Sequence, residues 1–255
     1  MIHVINKPQH IIERGDIYFF YRPRVEPLQE DHKVAGFNDV QRFYIVLHPE
    51  DNPFYRLLVV GKKRMPIIDY QYEKNWAMVD LITRSYQELL EELAEKIYHT
   101  KTQGDRKSPA ARPCGKGVYA LIYQSGHSHL IYTLTLPEKP GEVQHELDIY
   151  PQASYVISVK NQNIAGSHDG MPVHFPKRLS NKFGGRRFVP LDTPELLNYE
   201  GTELLLIGAS TDIYRELGID RDKIEHTIDT TEIMEELAAW KEQRLVAPLL
   251  KGRWR

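Results

Sequence analysis

The run Lys177-Arg178-Leu179-Ser180-Asn181-Lys182-Phe183-Gly184-Gly185-Arg186-Arg187-Phe188 gathers the side chains with which a protein holds an anion. Arg186 and Arg187 carry planar forks of donors suited to phosphate or carboxylate, and Lys177, Arg178 and Lys182 add positive charge. Two successive glycines let backbone amides approach a ligand, and Phe183 offers a ring on which a base can stack. From Met171 to Leu191 there is no acidic residue. The plainer alternatives are a turn at Gly184-Gly185, a core ring, and neutralisation by acidic helices of the same chain. A secondary basic site is expected at Tyr21-Arg22-Pro23-Arg24, where the end of a strand delivers Arg22 and Arg24 beside an aromatic residue.

Other chemistry is fainter. His127 and His129 share one side of a strand and are candidate metal ligands, with His145 or Glu146 nearby; a polar hairpin turn explains them equally well, and no metal or cofactor is expected. Cys114 lies between Arg112 and Lys116, cations that favour a thiolate, but the segment after it has the pattern of a strand and not of a helix start. His168, Asp169 and His174 adjoin the basic segment and are the candidate acid and base groups if the chain is an enzyme. There is no glycine-rich phosphate loop, no Gly-x-Gly-x-x-Gly, no His-Glu-x-x-His and no Gly-x-Ser-x-Gly, which removes support for several large enzyme classes.

These residues must be positioned by a mainly β scaffold. Asp16 to Tyr21, Arg42 to His48, Tyr55 to Val60 and Trp76 to Leu81 are short, rich in branched and aromatic residues, and bounded by turn formers. Val118 to Gln124, His129 to Leu136, Glu146 to Tyr150, Ser154 to Lys160, Arg187 to Val189 and Glu203 to Gly208 repeat the pattern. Between the two sets, Ser85 and Glu88 form a capping pair, and Tyr86, Leu89, Leu90, Leu93 and Ile97 predict an amphipathic helix over Ser85 to His99. Ser210 to Leu217 and a segment opening at Asp229 and stopped by Pro248 predict carboxy-terminal helices. The expected class is α+β: an antiparallel sheet or barrel-like β core with a central amphipathic helix and C-terminal helices.

Gly15 precedes Tyr21 by the interval that separates Gly117 from Tyr123, and Tyr44 and Tyr132 stand at one offset from Pro49 and Pro137. A duplicated β unit is one reading of this spacing and coincidence the other. The corresponding division is a β-rich unit over 1–100, a basic linker or lid over 101–116, and a second β-rich unit with helices and tail over 117–255, the whole also being readable as one domain. Arg14-Gly15-Asp16-Ile17-Tyr18-Phe19-Phe20-Tyr21 resembles the opening strand of EVE and other PUA-like domains, which bind modified bases. The resemblance implies a compact β barrel with a ligand cleft.

The chain has 255 residues, one cysteine and a net charge of −2, so no global field draws it to nucleic acid or an anionic membrane and no internal disulfide forms. No apolar run has the ~18 residues that a membrane-spanning helix needs. A soluble, cytoplasmic protein that does not engage membranes is expected. The leading reading is a non-catalytic binding protein that presents the basic loop to an anionic partner, nucleic acid among the options. Its alternatives are an enzyme acting on an anionic small molecule or phosphodiester, and an assembly component that oligomerises or binds a protein through the C-terminal helix and the tail ending in Trp254 and Arg255.

Overall fold

Alternation along the strands builds a closed wall. In β1 (His10–Pro23) Ile17, Phe19 and Tyr21 point one way and Tyr18, Phe20 and Arg22 the other, and the first set joins one large core while Phe20 and Tyr18 join another. The computed structural model describes residues 10–28, 33–68, 73–102, 104–164, 173–218 and 243–254. β2 (Glu26–Pro27) leaves the wall; β3 (Val40–Pro49), β4 (Tyr55–Val60) and β5 (Lys74–Thr83) return to it as an antiparallel meander with β1. After helix α1 (Tyr86–Leu93), β6 (Lys96–Thr100) and β7 (Gly104–Ser108) form a hairpin that β2 extends to a three-stranded arm with β6 at its edge.

The second half repeats the meander. β8 (Arg112–Gln124), β9 (His127–Leu136), β10 (Gln152–Lys160) and β12 (Glu203–Ser210) succeed one another around the wall, with α2 (Glu142–Glu146), α3 (Lys177–Phe183) and the short β11 (Phe188–Pro190) in the connections. β1 pairs with β8 and β5 with β12, so the two meanders close an eight-stranded antiparallel barrel. Closure removes the sheet edges that would otherwise template association. Gly15 and Gly117 occupy equivalent places, in that a side chain on either would collide with the backbone of the adjacent strand, at His48 and at Thr133. Each half of the wall is thus one four-stranded antiparallel meander.

Phe19, Tyr21, Phe43, Tyr119, Tyr132 and Tyr155 fill the barrel interior. A buried polar cluster lies with them: Arg56, fully buried, forks onto Glu13 at 2.5 and 2.9 Å, donates to Asn198, and leaves Glu13 to accept from the Tyr119 hydroxyl at 2.8 Å. The outer wall is covered twice. Leu89 and Leu93 of α1 lie on Phe20, Tyr44, Val46 and Leu57, and Ile213 and Leu217 of α4 (Ile213–Leu217) lie on Val118, Ala120, Ile122 and Ile131. Strands with cover on both faces lose clean alternation, which is why β3 and β8 read as nearly continuous apolar runs.

The helices differ most from expectation. The one expected over Ser85 to His99 keeps its cap, Ser85 Oγ accepting from Glu88 N, but ends at Leu93, and the next residues are the edge strand β6. Its last carbonyls are taken from outside the helix: Leu93 O accepts from Ala111 N, and Glu92 O and Ala94 O accept from Arg22. Ile97, expected on the helix face, is therefore 60% exposed on the arm. Within the expected linker or lid over 101–116, residues 104–108 and 112–116 are strand. Glu146 to Tyr150, expected as a strand, is the end of α2 and the turn beyond it, tied by Ile149 N to Gln144 O. The expected helix start at Asp229 lies outside the described residues; α5 (Gln243–Lys251) runs through Pro248 and stops at Gly252, in left-handed conformation at φ +61°.

The tail docks on its own barrel. Trp254 is 3% exposed and meets Tyr21 edge to face at 5.0 Å, while Gln144 donates to Cys114 O and Pro248 O and accepts from Gly141 N. Gly252 packs backbone to backbone against Gly141.

Candidate anion-binding cleft

Arg22 decides where the unneutralised positive charge lies. It is the last outward side chain of β1 before the ladder shifts at Pro23, and the outer wall there carries Tyr44 of β3 and the end of α1. The guanidinium is 4% exposed and donates to Tyr44 OH at 3.1 Å, Ala94 O at 2.9 Å, Pro109 O at 2.8 Å and Glu92 O at 2.8 Å. All four acceptors are formally neutral. Among the described residues no carboxylate forms an ion pair with it. The carbonyl end of α1 offsets part of the charge, and one N–H of Nη2 has no partner among the described residues.

This buried cation forms one wall of a cleft of about 300 Å³ between the barrel and the arm. Arg42 of β3 is exposed on one side; Lys96 and Tyr98, two apart on β6 and so on one face of it, stand opposite with Ser108 of β7. Lys96 pairs at the surface with Glu92 at 2.8 Å. Asp80 adjoins the same rim: burial raises its pKa, Glu92 adds to the rise, and Arg42 and Lys96 oppose it. Gln41 supplies a further wall, its Oε1 buried and without a hydrogen-bond donor among the described residues. Arg24, exposed, lines a neighbouring hollow with Lys33 and Asp39, and Val25 lines both that hollow and the cleft.

The segment from Lys177 to Phe188 is built differently. Leu179 and Phe183, four apart and buried, turn its first part into α3, and Gly184 at φ +50° ends the helix. The glycines thus serve as a cap. Phe183 is 2% exposed and packs on Phe175 at 5.6 Å, so its ring belongs to the core and has no face to offer a base. Arg178 forks onto Glu195, and Lys182 pairs with Asp192 at 2.8 Å. Arg186 donates to Lys182 O at 2.9 Å and Phe183 O at 3.3 Å, closing the last turn of α3. Lys177 and Arg187 are exposed, Arg187 lying over the ring of Phe188.

The remaining candidates are dispersed. Cys114 is fully buried, and burial alone pushes its thiol well above the ordinary range, so Arg112 and Lys116 do not make it a thiolate. His127 is exposed on β9 while His129 is buried on the outer wall, its pKa lowered to about 4 by burial and by His127. No group of three His, Cys, Asp or Glu residues among those described has the spacing of a metal site. His129 Nδ1 lies 3.2 Å from Ser154 Oγ and 3.8 Å from Glu216 Oε1. Serine and carboxylate thus share one ring nitrogen, whereas a proton relay needs them on opposite nitrogens. His174 is exposed, and His168 and Asp169 lie outside the described residues.

Arg42, Lys96, Tyr98, Gln41 and Ser108 were not singled out by sequence. Arg42 stands at the head of β3, next to Gln41 and before the apolar run Phe43 to Leu47, and Tyr98 was hidden by the helical periodicity of its segment. Comparison of the chain with protein-family models, curated proteins and solved structures gives no match. No described helix is long and apolar enough to cross a membrane.

Proposed function

We propose that this chain is a non-catalytic binding domain for an anionic ligand or partner, and that the anion sits in the cleft between the barrel and its arm. The observation that carries the reading is Arg22, a cation held at 4% exposure whose acceptors among the described residues are all neutral. A buried charge without a counter-charge costs several kcal/mol unless its surroundings compensate it, and an anion in the adjoining cleft does so with help from Arg42; Lys96 also lines the cleft but is already paired with Glu92, which lines it too. The basic segment at Lys177 to Arg187 takes the smaller share, because Arg178, Lys182 and Arg186 already have partners in the fold.

Calorimetric titration with inorganic pyrophosphate tests the proposal. Binding is expected at low ionic strength, weakening as salt rises. Arg42→Ala should lower the affinity and reduce the slope of log affinity against log salt by about one unit. Absence of binding at any salt concentration, or an Arg42→Ala protein that binds as the parent does, overturns it.

A further inference from the structure

We infer that the cleft takes a phosphorylated nucleoside unit, with phosphate toward Arg22 and Arg42 and the base against Tyr98. This rests on the anion reading and adds to it. Three features of the lining ask for more than an inorganic anion. Tyr98 is 43% exposed on the same strand face as Lys96, one of few large hydrophobic side chains so exposed among the described residues. A ring left to solvent beside a concentration of positive charge suits a ligand that is planar and apolar at one end and anionic at the other.

Gln41 is the second feature. Its buried Oε1 has no donor among the described residues, and a buried acceptor left unmatched is a cost that a ligand N–H or O–H removes. Phosphate and pyrophosphate offer chiefly acceptors; a sugar hydroxyl or a base amino group offers the missing donor. Ser108 on the arm adds a hydroxyl able to give or accept. Size is the third feature. About 300 Å³ stands at the lower end of ligand clefts, which span ~300–1,000 Å³, and fits one such unit better than several. The unit can come from a free nucleotide or from one position of a single strand.

Adenosine 5′-monophosphate, ribose 5-phosphate, inorganic phosphate and a single-stranded hexamer of adenylate separate the possibilities in calorimetric titrations at one salt concentration. The nucleotide should bind more tightly than ribose 5-phosphate, and ribose 5-phosphate more tightly than phosphate. Tyr98→Ala, on an exposed edge strand and so without consequence for the barrel, should lower nucleotide affinity about ten-fold and leave phosphate binding unchanged. Gln41→Leu should bring ribose 5-phosphate down toward phosphate. A hexamer that the monophosphate displaces assigns the unit to a strand, and a monophosphate that binds where the hexamer does not assigns it to the free nucleotide; both outcomes sustain the inference. Equal affinity for all three small phosphates, or an unchanged nucleotide preference in Tyr98→Ala, overturns it while the anion reading stands. If none of the phosphates binds, the anion reading fails as well.

Discussion

The cleft beside Arg22 and the helix at Lys177 to Phe183 are both rich in positive charge, and the fold treats them in opposite ways. On the helix, carboxylates come to the cations: Glu195 to Arg178 and Asp192 to Lys182, at a surface where water screens what is left. In the cleft the cation is buried first and given carbonyl and phenol oxygens instead of a carboxylate. Charge density along a sequence is thus a poor guide to charge available to a visitor. What matters is whether the counter-charge belongs to the same chain.

The widest difference between the two regions should be in stability. Arg22 ties β1 to the end of α1 and to the segment before β8 by hydrogen bonds from a charged donor, each worth ~1.5–3 kcal/mol, so Arg22→Met, which keeps the stem and leaves four acceptors stripped, should cost about 4 kcal/mol. Denaturant unfolding of the variant measures this. A loss under about 1 kcal/mol would mean that the buried guanidinium is not held as the distances indicate, and the contrast with the helix would disappear.

Much of the barrel was legible in the sequence, for a reason that also explains what was missed. Tyr55–Val60 was bounded correctly, and β1, β3, β5, β9, β10 and β12 were found to within a few residues at most ends, because branched and aromatic runs between turn formers carry their own structure. Where a tertiary partner overrode local preference, the reading failed. The periodicity through Ile97 is real, yet Arg22 and Ala111 capture the carbonyls of α1 and the chain turns into an edge strand. Glu146 to Tyr150 and Pro248 are similar cases, decided by Gln144, which holds α2, β8 and α5 together from one buried amide. Of the proposed cleft, Arg22 alone had been singled out, Arg24 lying in the neighbouring hollow, and the arm that faces Arg22 was not legible, since a cleft is a product of topology.

His129 sharpens the comparison by showing what burial does to a cation able to discard its proton. Arginine keeps its charge and must be given acceptors; histidine becomes neutral. With His127 beside it and Ser154 and Glu216 facing it from β10 and α4, His129 titrates at about 4 against an ordinary 6.5. The unfolded chain therefore binds the proton first, and its contribution to stability is complete above pH 6.5 and is lost as pH falls toward 4. The loss amounts to about 3 kcal/mol. Glu216, raised by burial, has the opposite slope, losing stability as pH rises through its folded value. Denaturant unfolding at several pH values should show the acid-side loss in the parent protein and its absence in His129→Asn; parallel curves would place the imidazole in water.

The smallest effect is expected on the helix, and its smallness is informative. Arg178 and Glu195 form their pair at an exposed surface, where side-chain entropy and screening consume most of the attraction, so Arg178→Ala should leave the thermal midpoint within experimental scatter. Arg186→Ala combined with Arg187→Ala removes a cap on α3 and an exposed cation, and should leave pyrophosphate affinity in the cleft unchanged, since neither residue lines it. If instead the double variant lost binding and Arg42→Ala kept it, the visitor's charge would lie over the glycine turn and not beside Arg22. The two regions would then exchange roles, because a cation already bonded within the fold would have to leave its partner each time a ligand arrived.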